Sequence, residues 1–456
     1  MQQQPILSES IHDGTTPIEW SMIPSSTTTF GALRQTTTRT VSRDSIGTRL
    51  TGEEIVCSLL FGFLAFNGVP PMPALVGVNR PVIDAFDGMF CLGTALLFIL
   101  NRARIHWEFR TIRSSFLFLC ITVASPLWGN IGYRNALVPI ATSVCMFLFA
   151  CFIVDRLSLA DFSRMLVWSL TILLAASVIV AVFLPRYGID SGRLDPDNAG
   201  AWQGVFAQKN MLGSSVAVAA AAALGLRPLN SIDRLWRWTL FILVAICTVM
   251  SQSRETWLTI ACLLVFSFLM RILRSLEPRS RLPVIVFAFS ALLLVVVLVS
   301  LNLDAVLHPL HRDRTATGRT DIWLASWSLF LKHKWLGYGI YGLWHTREAW
   351  SVVVRAGWDV TSAHNNYLEV LLDYGIVGFI IYLPIILWSF LYMLRALLNY
   401  DLRNLQVLIY VMVVILVLSF SQSIIMMTPG LGFVLLIYGV CRLEQVERSG
   451  FMRLSK

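Results

Sequence analysis

The sequence predicts an all-α, polytopic membrane protein with about 12 transmembrane helices. Hydrophobic residues make up 56% of the 456 residues and charged residues only 14%, against roughly 25% charged in a typical soluble domain. The apolar residues occur in runs long enough to cross a bilayer as helices, roughly 17 to 25 residues each. Lys and Arg are concentrated in alternate connections between these runs, as the positive-inside rule expects. This charge pattern accounts for most of the net charge of +9, and nothing in it indicates a nucleic-acid partner.

The predicted spans follow from the apolar runs between charged residues. They lie near 53–69, 84–101, 114–129, 135–154, 164–185, 209–226, 237–252, 255–271, 282–302, 364–394, 404–421 and 427–441. The run at 364–394 is long, and Pro384 predicts a kink within it. An even number of spans, with most basic residues in the connections assigned to the cytoplasm, predicts that both termini are cytoplasmic.

The chain therefore divides into five predicted regions. Residues 1–52 are rich in Thr, Ser and Gln without an apolar core, which predicts a disordered cytoplasmic tail and no signal peptide. Helices one to nine occupy 53–302, a large outer loop occupies 303–363, helices ten to twelve occupy 364–441, and 442–456 form a second cytoplasmic tail. The eight cysteines are scattered in apolar spans without a Cys-x-x-Cys pair, which predicts neither a disulfide framework nor a metal site.

Two long outer connections stand out, 185–209 and 303–363, and the second contains six of the fifteen Trp residues. Loops of this length are functional or disordered, and the aromatic density favours function. Within the second loop, residues 321–331 carry apolar side chains at helical spacing. They predict an amphipathic helix that either lies in the membrane interface or packs on the helix bundle.

The segment 362–369 (SAHNNYLE) marks the entry of the large outer loop into a hydrophobic span. We place His364 in the first turn of that helix facing solvent, where the helix dipole keeps the imidazole neutral. A neutral imidazole can accept a proton, so His364 is the candidate general base. The alternative is a structural histidine hydrogen-bonded to Asn365 or Asn366. Glu369 can orient a neighbouring polar group.

Arg254 is a basic residue in the tight outer turn before the eighth span, where the positive-inside rule disfavours one. Its guanidinium can bind phosphate oxygens in a bidentate manner. Ser251 and Ser253 would add hydroxyl donors at the helix start. The alternative is a structural ion pair with the adjacent Glu255.

The two long outer loops add further candidates for substrate binding. The first loop contains Arg193 and ends at Lys209, which either helps to bind a diphosphate or is a snorkelling interfacial lysine. Arg319, in the second loop, either binds substrate or anchors the loop. Tyr338 lies in the glycine-rich stretch 336–339 (LGYG), which no strand precedes, so we predict a tight turn able to contact a sugar instead of a dinucleotide loop.

A base with cations nearby suits chemistry on a lipid-diphosphate donor. The cations would stabilise the negative charge that builds on the departing diphosphate. The base would take the proton from an incoming sugar hydroxyl. We therefore predict a reaction that needs no metal and no cofactor, in which a single displacement inverts the anomeric carbon.

In order and topology, these motifs resemble the O-antigen ligase and Wzy-type polymerase superfamily, most closely the exopolysaccharide-repeat polymerases. The matching pieces are 204–206 (GVF), 209–213 (KNMLG), 253–254 (SR), 317–323 (TGRTDIW), 336–339 (LGYG) and 364–369 (HNNYLE). The resemblance implies a GT-C-like fold, a base at His364 and a diphosphate-binding arginine at Arg254. Arg193 and Lys209 compete for the position of a second family arginine. Lys334 and Trp335 depart from the Pro often found before the Gly-Tyr-Gly element.

The resemblance also implies a function at the periplasmic face of the bacterial inner membrane. The working hypothesis is polymerisation of undecaprenyl-diphosphate-linked oligosaccharides into exopolysaccharide, with membrane lipid, a chain-length regulator and a flippase as partners. One alternative is a ligase that transfers lipid-linked glycan to a lipid acceptor. Another is a polysaccharide transporter or flippase, which should carry ionisable residues near the middle of its spans. Here the notable charges lie at the outer ends of the spans.

Overall fold

The computed structural model describes residues 52–67, 80–192, 198–206, 208–301, 319–357, 360–423 and 431–449. These residues belong to one unit, Thr48–Lys456. The predicted N-terminal tail up to residue 51, most of the predicted C-terminal tail from residue 450, and Arg193 lie outside the described residues.

The described residues form helices and turns, with one isolated antiparallel bridge between Ile189 and Trp202. The helices of seven or more residues are α1 (Gly52–Asn67), α2 (Arg80–Leu100), α3 (Arg110–Ala124), α4 (Gly132–Arg156), α5 (Leu159–Phe183), α6 (Lys209–Gly225), α7 (Ser231–Met250), α8 (Arg254–Ser275), α9 (Pro278–Leu301), α10 (Arg319–Lys332), α11 (Trp350–Ala356), α12 (Asn366–Asn399), α13 (Leu402–Leu418) and α14 (Leu431–Ser449). The all-α class is confirmed. Within the described residues, each of the twelve predicted spans overlaps one of these helices, and α10 and α11 belong to the large outer loop.

Several helices have the length and apolar composition of membrane spans, so this is a multi-pass membrane protein. Within the described ranges these are Arg134–Arg156, Leu159–Phe183, Arg254–Ser275 and Asn366–Asn399. Gly88–Leu100 and Leu402–Leu418 are apolar but shorter. The count of twelve spans and the sidedness of the loops stay predictions.

Connections that the charge pattern assigns to one side also lie together in the fold. At the end assigned to the cytoplasm, Arg281 donates to the carbonyls of Leu397 and Tyr400 at 3.1 and 2.9 Å. His106 lies 2.8 Å from Asp155 at the same end. At the opposite end, the starts of α6, α8, α10 and α12 meet the end of α13. These contacts therefore join connections that the basic residues assign to the same side of the membrane.

Helix α12 is interrupted at Gly375, which has φ 63° and ψ −163°. A kink was predicted at Pro384, but the non-helical residue lies earlier in the helix. Two helical hydrogen bonds are lost at the break, those that would join Ile376 N to Leu372 O and Val377 N to Asp373 O. In a membrane helix such freed backbone groups need other partners.

The glycine-rich stretch of the outer loop supplies those partners. The N–H groups of Tyr338 and Gly339 donate to the carbonyls of Leu372 and Asp373, each at 2.8 Å. From the other side of the break, Ile376 N donates to Lys334 O at 2.8 Å and Val377 N to Trp335 O at 3.2 Å. Four bonds to the loop thus replace two bonds within the helix, and they dock the outer loop onto α12.

Helix α10 has one buried face and one exposed apolar face. Ile322, Ala325 and Leu329 are buried against the rest of the outer loop. Leu324 and Trp327 are exposed. The predicted helix is therefore present and packs within the protein, while its exposed face has the character of an interfacial helix. Its position in the membrane interface stays a prediction.

Candidate functional site

Glu255, the second residue of α8, lies at the centre of a polar cluster that joins four segments of the chain. Its Oε2 accepts hydrogen bonds from Arg319 Nη2 and from Gln422 Nε2, both at 2.8 Å. Its Oε1 accepts one from Ser421 Oγ at 2.6 Å. The carboxylate therefore links the start of α8 to the start of α10 and to the residues after α13.

Gln422 extends this connection to His364. The Gln422 Oε1 lies 3.4 Å from His364 Nδ1. Because the amide donates through its Nε2 to Glu255, its oxygen faces the imidazole and accepts from Nδ1–H. This assignment leaves the lone pair of the ring on Nε2. A series of hydrogen bonds from Arg319 through Glu255 and Gln422 therefore orients the His364 ring.

The backbone just before His364 is held by two side chains from the outer loop and α12. Trp323 Nε1 donates to the carbonyl of Ala363 at 3.0 Å. The N–H of Ala363 donates to Glu369 Oε2 at 2.6 Å. Glu369, named from the sequence as an orienting residue, therefore contacts the segment that carries His364, and it does so from within the first half of the interrupted α12.

His364 lies before α12, so its predicted place in the first turn is wrong. Asn365 is the N-cap, and its side chain accepts from the N–H groups of Tyr367 and Leu368. A solvent-facing ring was also predicted, but the residue is buried, at 6% exposure. His364 has φ 48°, a left-handed conformation that few non-glycine residues adopt. Such local strain is typical of functional positions.

The pKa of His364 is lowered to about 4, mainly by burial and secondly by the positive charge of Arg319. The hydrogen bond with Gln422 raises the pKa of His364, but by less than burial lowers it. The imidazole is therefore neutral at neutral pH. The sequence suggested the helix dipole as the reason, whereas in the structure the main reasons are desolvation and a neighbouring guanidinium.

Lys209 and Arg254 are the first residues of α6 and α8, two helices that begin beside each other. Ser253 Oγ donates to Asn210 Oδ1 at 3.1 Å and joins the two starts. Neither helix has a side-chain hydrogen bond at its N-cap. Two helix N-termini, each with a basic first residue, therefore lie next to each other, and this arrangement favours the binding of an anion.

The structural ion pair considered for Arg254 is absent, because Glu255 pairs with Arg319 instead. Arg254 is exposed, and no hydrogen bond or ion pair joins it to the part of the chain that the structure describes. The hydroxyls of Ser251 and Ser253 are buried and donate within the protein. The prediction that they serve as ligand donors is therefore wrong.

The remaining predicted residues have different outcomes. Arg319 anchors the outer loop through its ion pair with Glu255, and this pair brings its charge beside the candidate base. Tyr338 is buried, its hydroxyl lies 2.9 Å from the Glu348 carboxylate, and burial raises its pKa. It packs inside the loop, a position that does not suit the predicted sugar contact. Arg193 lies outside the described residues.

Three residues of the cluster were not singled out as site residues from the sequence: Ser421, Gln422 and Trp344. The first two belong to a polar run, 419–423 (SFSQS), between two apolar segments. Such a run at the end of a span is a signal that could have identified them. Trp344 donates its indole N–H to Glu369 Oε1 at 2.6 Å, a contact that no sequence pattern indicates.

Known proteins are similar to the part of the chain that carries this site. Residues 239–383 match the family model of the O-antigen ligase domain, Wzy_C. This range contains α8, the outer loop and the first part of α12, and hence Arg254, Arg319 and His364. The resemblance to the O-antigen ligase and Wzy-type superfamily is confirmed.

Among curated proteins, the chain is similar to the exopolysaccharide production protein ExoQ of Rhizobium meliloti (strain 1021). The two are 24% identical over 299 residues, which cover 62% of this chain and 65% of that protein. The match thus spans less than two thirds of either protein. It supports a membrane protein with a polysaccharide-related function.

Proposed function

We propose that the protein polymerises undecaprenyl-diphosphate-linked oligosaccharides into exopolysaccharide at the periplasmic face of the inner membrane, by metal-independent, inverting glycosyl transfer. The observation that carries the proposal is the meeting of a neutral, oriented histidine with the basic starts of α6, α8 and α10 in one cluster. The similarity to ExoQ favours polymer formation. The description of the matching domain makes ligation to a lipid acceptor the second candidate.

In the proposed reaction, His364 Nε2 takes the proton from the attacking sugar hydroxyl. The hydroxyl oxygen forms a bond to the anomeric carbon of the donor sugar from the face opposite the diphosphate. The bond between that carbon and the diphosphate oxygen breaks, and the diphosphate leaves with the electron pair. Arg254 and Lys209, with the N–H groups at the two helix starts, stabilise the leaving charge.

The low pKa of His364 fits this chemistry only if substrate raises it, because a base with a pKa of about 4 is weak at neutral pH. A lipid diphosphate adds negative charge beside Arg319 and Arg254. Negative charge near an imidazole favours its protonated form. Binding of the donor therefore strengthens the base, and a pKa raised toward the ordinary value of about 6.5 still leaves the ring mostly neutral at pH 7.

The pH profile tests this coupling. Since kcat/KM reports the free enzyme and kcat the bound complex, we expect the acid limb of kcat/KM near pH 4 and that of kcat at higher pH, toward the ordinary histidine value of about 6.5. Activity falls as pH drops through each pKa because the base must be neutral. Steady-state rates from about pH 3 to pH 8 measure both limbs. Two coincident limbs near pH 6.5 would show that Arg319 and burial do not control the base.

A substitution at Arg254 tests whether this residue binds phosphate in a bidentate manner or acts only through its positive charge. Arg254→Lys keeps the charge but loses the planar fork, so we expect kcat/KM to fall about tenfold or more. Arg355→Lys, at an exposed arginine in α11, is the matched control and should stay near the wild-type value. A near-normal Arg254→Lys enzyme would argue against bidentate contact.

Deletion of the gene separates the candidate functions in the cell. If the protein is a polymerase, the deletion strain retains single lipid-linked repeats on the periplasmic side and lacks long polymer. A ligase predicts long polymer on the carrier lipid with none on the acceptor lipid. Repeats that accumulate on the cytoplasmic side would contradict both enzymes and indicate a flippase.

A further inference from the structure

A cavity of about 550 Å³ opens in the large outer loop, beside the segment that leads to His364. Its volume lies within the range of small-ligand sites, about 300–1,000 Å³. It is lined by residues 344–347, 349, 350, 353, 360 and 361. None of these residues is used in the chemistry described above. Its polar and aromatic side chains are Trp344, His345, Thr346, Arg347, Trp350 and Thr361.

The lining of the cavity combines aromatic faces with hydrogen-bonding groups. Trp350 is 67% exposed, the most exposed of the described indoles in the outer loop. Arg347 is exposed, and none of the described carboxylates pairs with it. Its neighbour Glu348 pairs instead with Lys332, at 3.2 Å. The cavity thus presents an uncovered aromatic ring beside a cation that no described carboxylate neutralises.

This combination matches the chemistry of a pyranose. A pyranose ring has a flat face of C–H groups that packs on an indole, and a rim of hydroxyls that accept from guanidinium and exchange hydrogen bonds with threonine. Rigid aromatic side chains supply large contact area at low entropic cost. A guanidinium also binds a carboxylate substituent on a sugar in a bidentate manner.

The cavity is connected to the catalytic segment through one carboxylate. Trp344, in its wall, donates its indole N–H to Glu369 Oε1 at 2.6 Å. The other oxygen of Glu369 accepts from Ala363 N, also at 2.6 Å, and Ala363 directly precedes His364. A ligand that packs on Trp344 therefore lies two hydrogen bonds from the backbone of the candidate base.

We propose that this cavity is an oligosaccharide subsite, which binds sugar residues of the glycan substrate while the reacting sugar lies at His364. Trp350 packs on a sugar ring, and Arg347 binds sugar hydroxyls or an acidic substituent. This inference rests on the proposed function for the identity of its ligand. The subsite binds the glycan itself, so it binds soluble oligosaccharide that carries no lipid diphosphate.

The test uses the full-length protein in lipid nanodiscs. The probe is the set of soluble oligosaccharides, one to three repeats long, obtained by acid hydrolysis of the exopolysaccharide from the organism that carries the gene. Saturation-transfer NMR and calorimetry measure binding. We expect Trp350→Ala to weaken binding about fivefold or more, Trp350→Phe to retain most of it, and Arg347→Ala to weaken it independently. Trp327→Ala, at an exposed indole outside the cavity, is the matched control and should bind as the wild type does.

The outcomes separate this inference from the proposed function. If the wild type binds no oligosaccharide at millimolar concentration, or if both Trp350→Ala and Arg347→Ala bind as tightly as Trp327→Ala, the subsite is overturned and glycosyl transfer is unaffected. His364→Asn should keep oligosaccharide binding while it loses transfer. Normal transfer by His364→Asn would remove His364 from the mechanism, whereas absence of transfer by the wild type would overturn the proposed function; either result would leave the measured binding in place.

Discussion

Replacing His364 by Asn should lower kcat by about 10² to 10⁴, the usual contribution of a general base. Asparagine tolerates the left-handed backbone that this position requires, so the loss should come from the missing ring nitrogen. The measurement is the rate of polymer formation by purified protein with lipid-linked repeats, together with the thermal midpoint of each variant. An unchanged midpoint with a lost rate is the expected pattern.

Two further variants distinguish a proton acceptor from a structural ring. His364→Gly keeps the backbone conformation, and added imidazole should restore part of its rate with a pH dependence that follows the added base. His333→Asn replaces an exposed histidine of the same loop and should retain full activity. A His364→Asn enzyme within a few-fold of the wild-type rate would remove His364 from the mechanism.

Gly375→Ala should reduce the free energy of unfolding by about 3 kcal/mol or more and also abolish activity. The φ and ψ of Gly375 lie in a region open essentially to glycine alone, at a cost of about 1–3 kcal/mol to other residues. A Cβ at this position would lie 2.3 Å from the carbonyl carbon and oxygen of Trp335. The substitution therefore expels the loop backbone that completes α12. Unfolding midpoints in detergent, with transfer rates beside them, measure both effects.

Gly132→Ala is the matched control for this break. Gly132 has φ 65°, close to that of Gly375, but a Cβ there meets nothing within 4 Å. Gly132→Ala should lower the free energy of unfolding only by the cost of a left-handed backbone at a non-glycine residue, roughly 1–2 kcal/mol. If the two substitutions prove equally mild, the four hydrogen bonds between the loop and α12 do not hold the outer loop in place.

Much of the helical architecture could be predicted from sequence because apolar runs and charge placement are local signals. Each predicted span falls on a helix, and α10 begins and ends near its predicted bounds. The break in α12 was assigned to Pro384 because proline removes a helical hydrogen bond. The actual break at Gly375 depends on a loop segment some forty residues earlier, and no local pattern records that contact.

The candidate site was predictable in part for the same reason. His364 and Arg254 stand out as polar groups at the ends of apolar segments. Their environment was not predictable, because it arises from Gln422 and Glu255, which come from different parts of the chain. The sequence therefore suggested a solvent-facing ring controlled by a helix dipole, whereas the structure has a buried ring beside Arg319.

Inverting transfer without a metal ion is tested most directly by the stereochemistry of the purified reaction. The first outer loop contains Asp195-Pro196-Asp197, a spacing that could bind a divalent cation, so the reaction must be run in EDTA. Proteoliposomes that contain only this protein and lipid-linked repeats should form a polymer ladder and release one undecaprenyl diphosphate per linkage. NMR should show the new linkage with the anomeric configuration opposite to that of the donor. Retained configuration, or a ladder that forms only after a divalent cation is added, would contradict the mechanism.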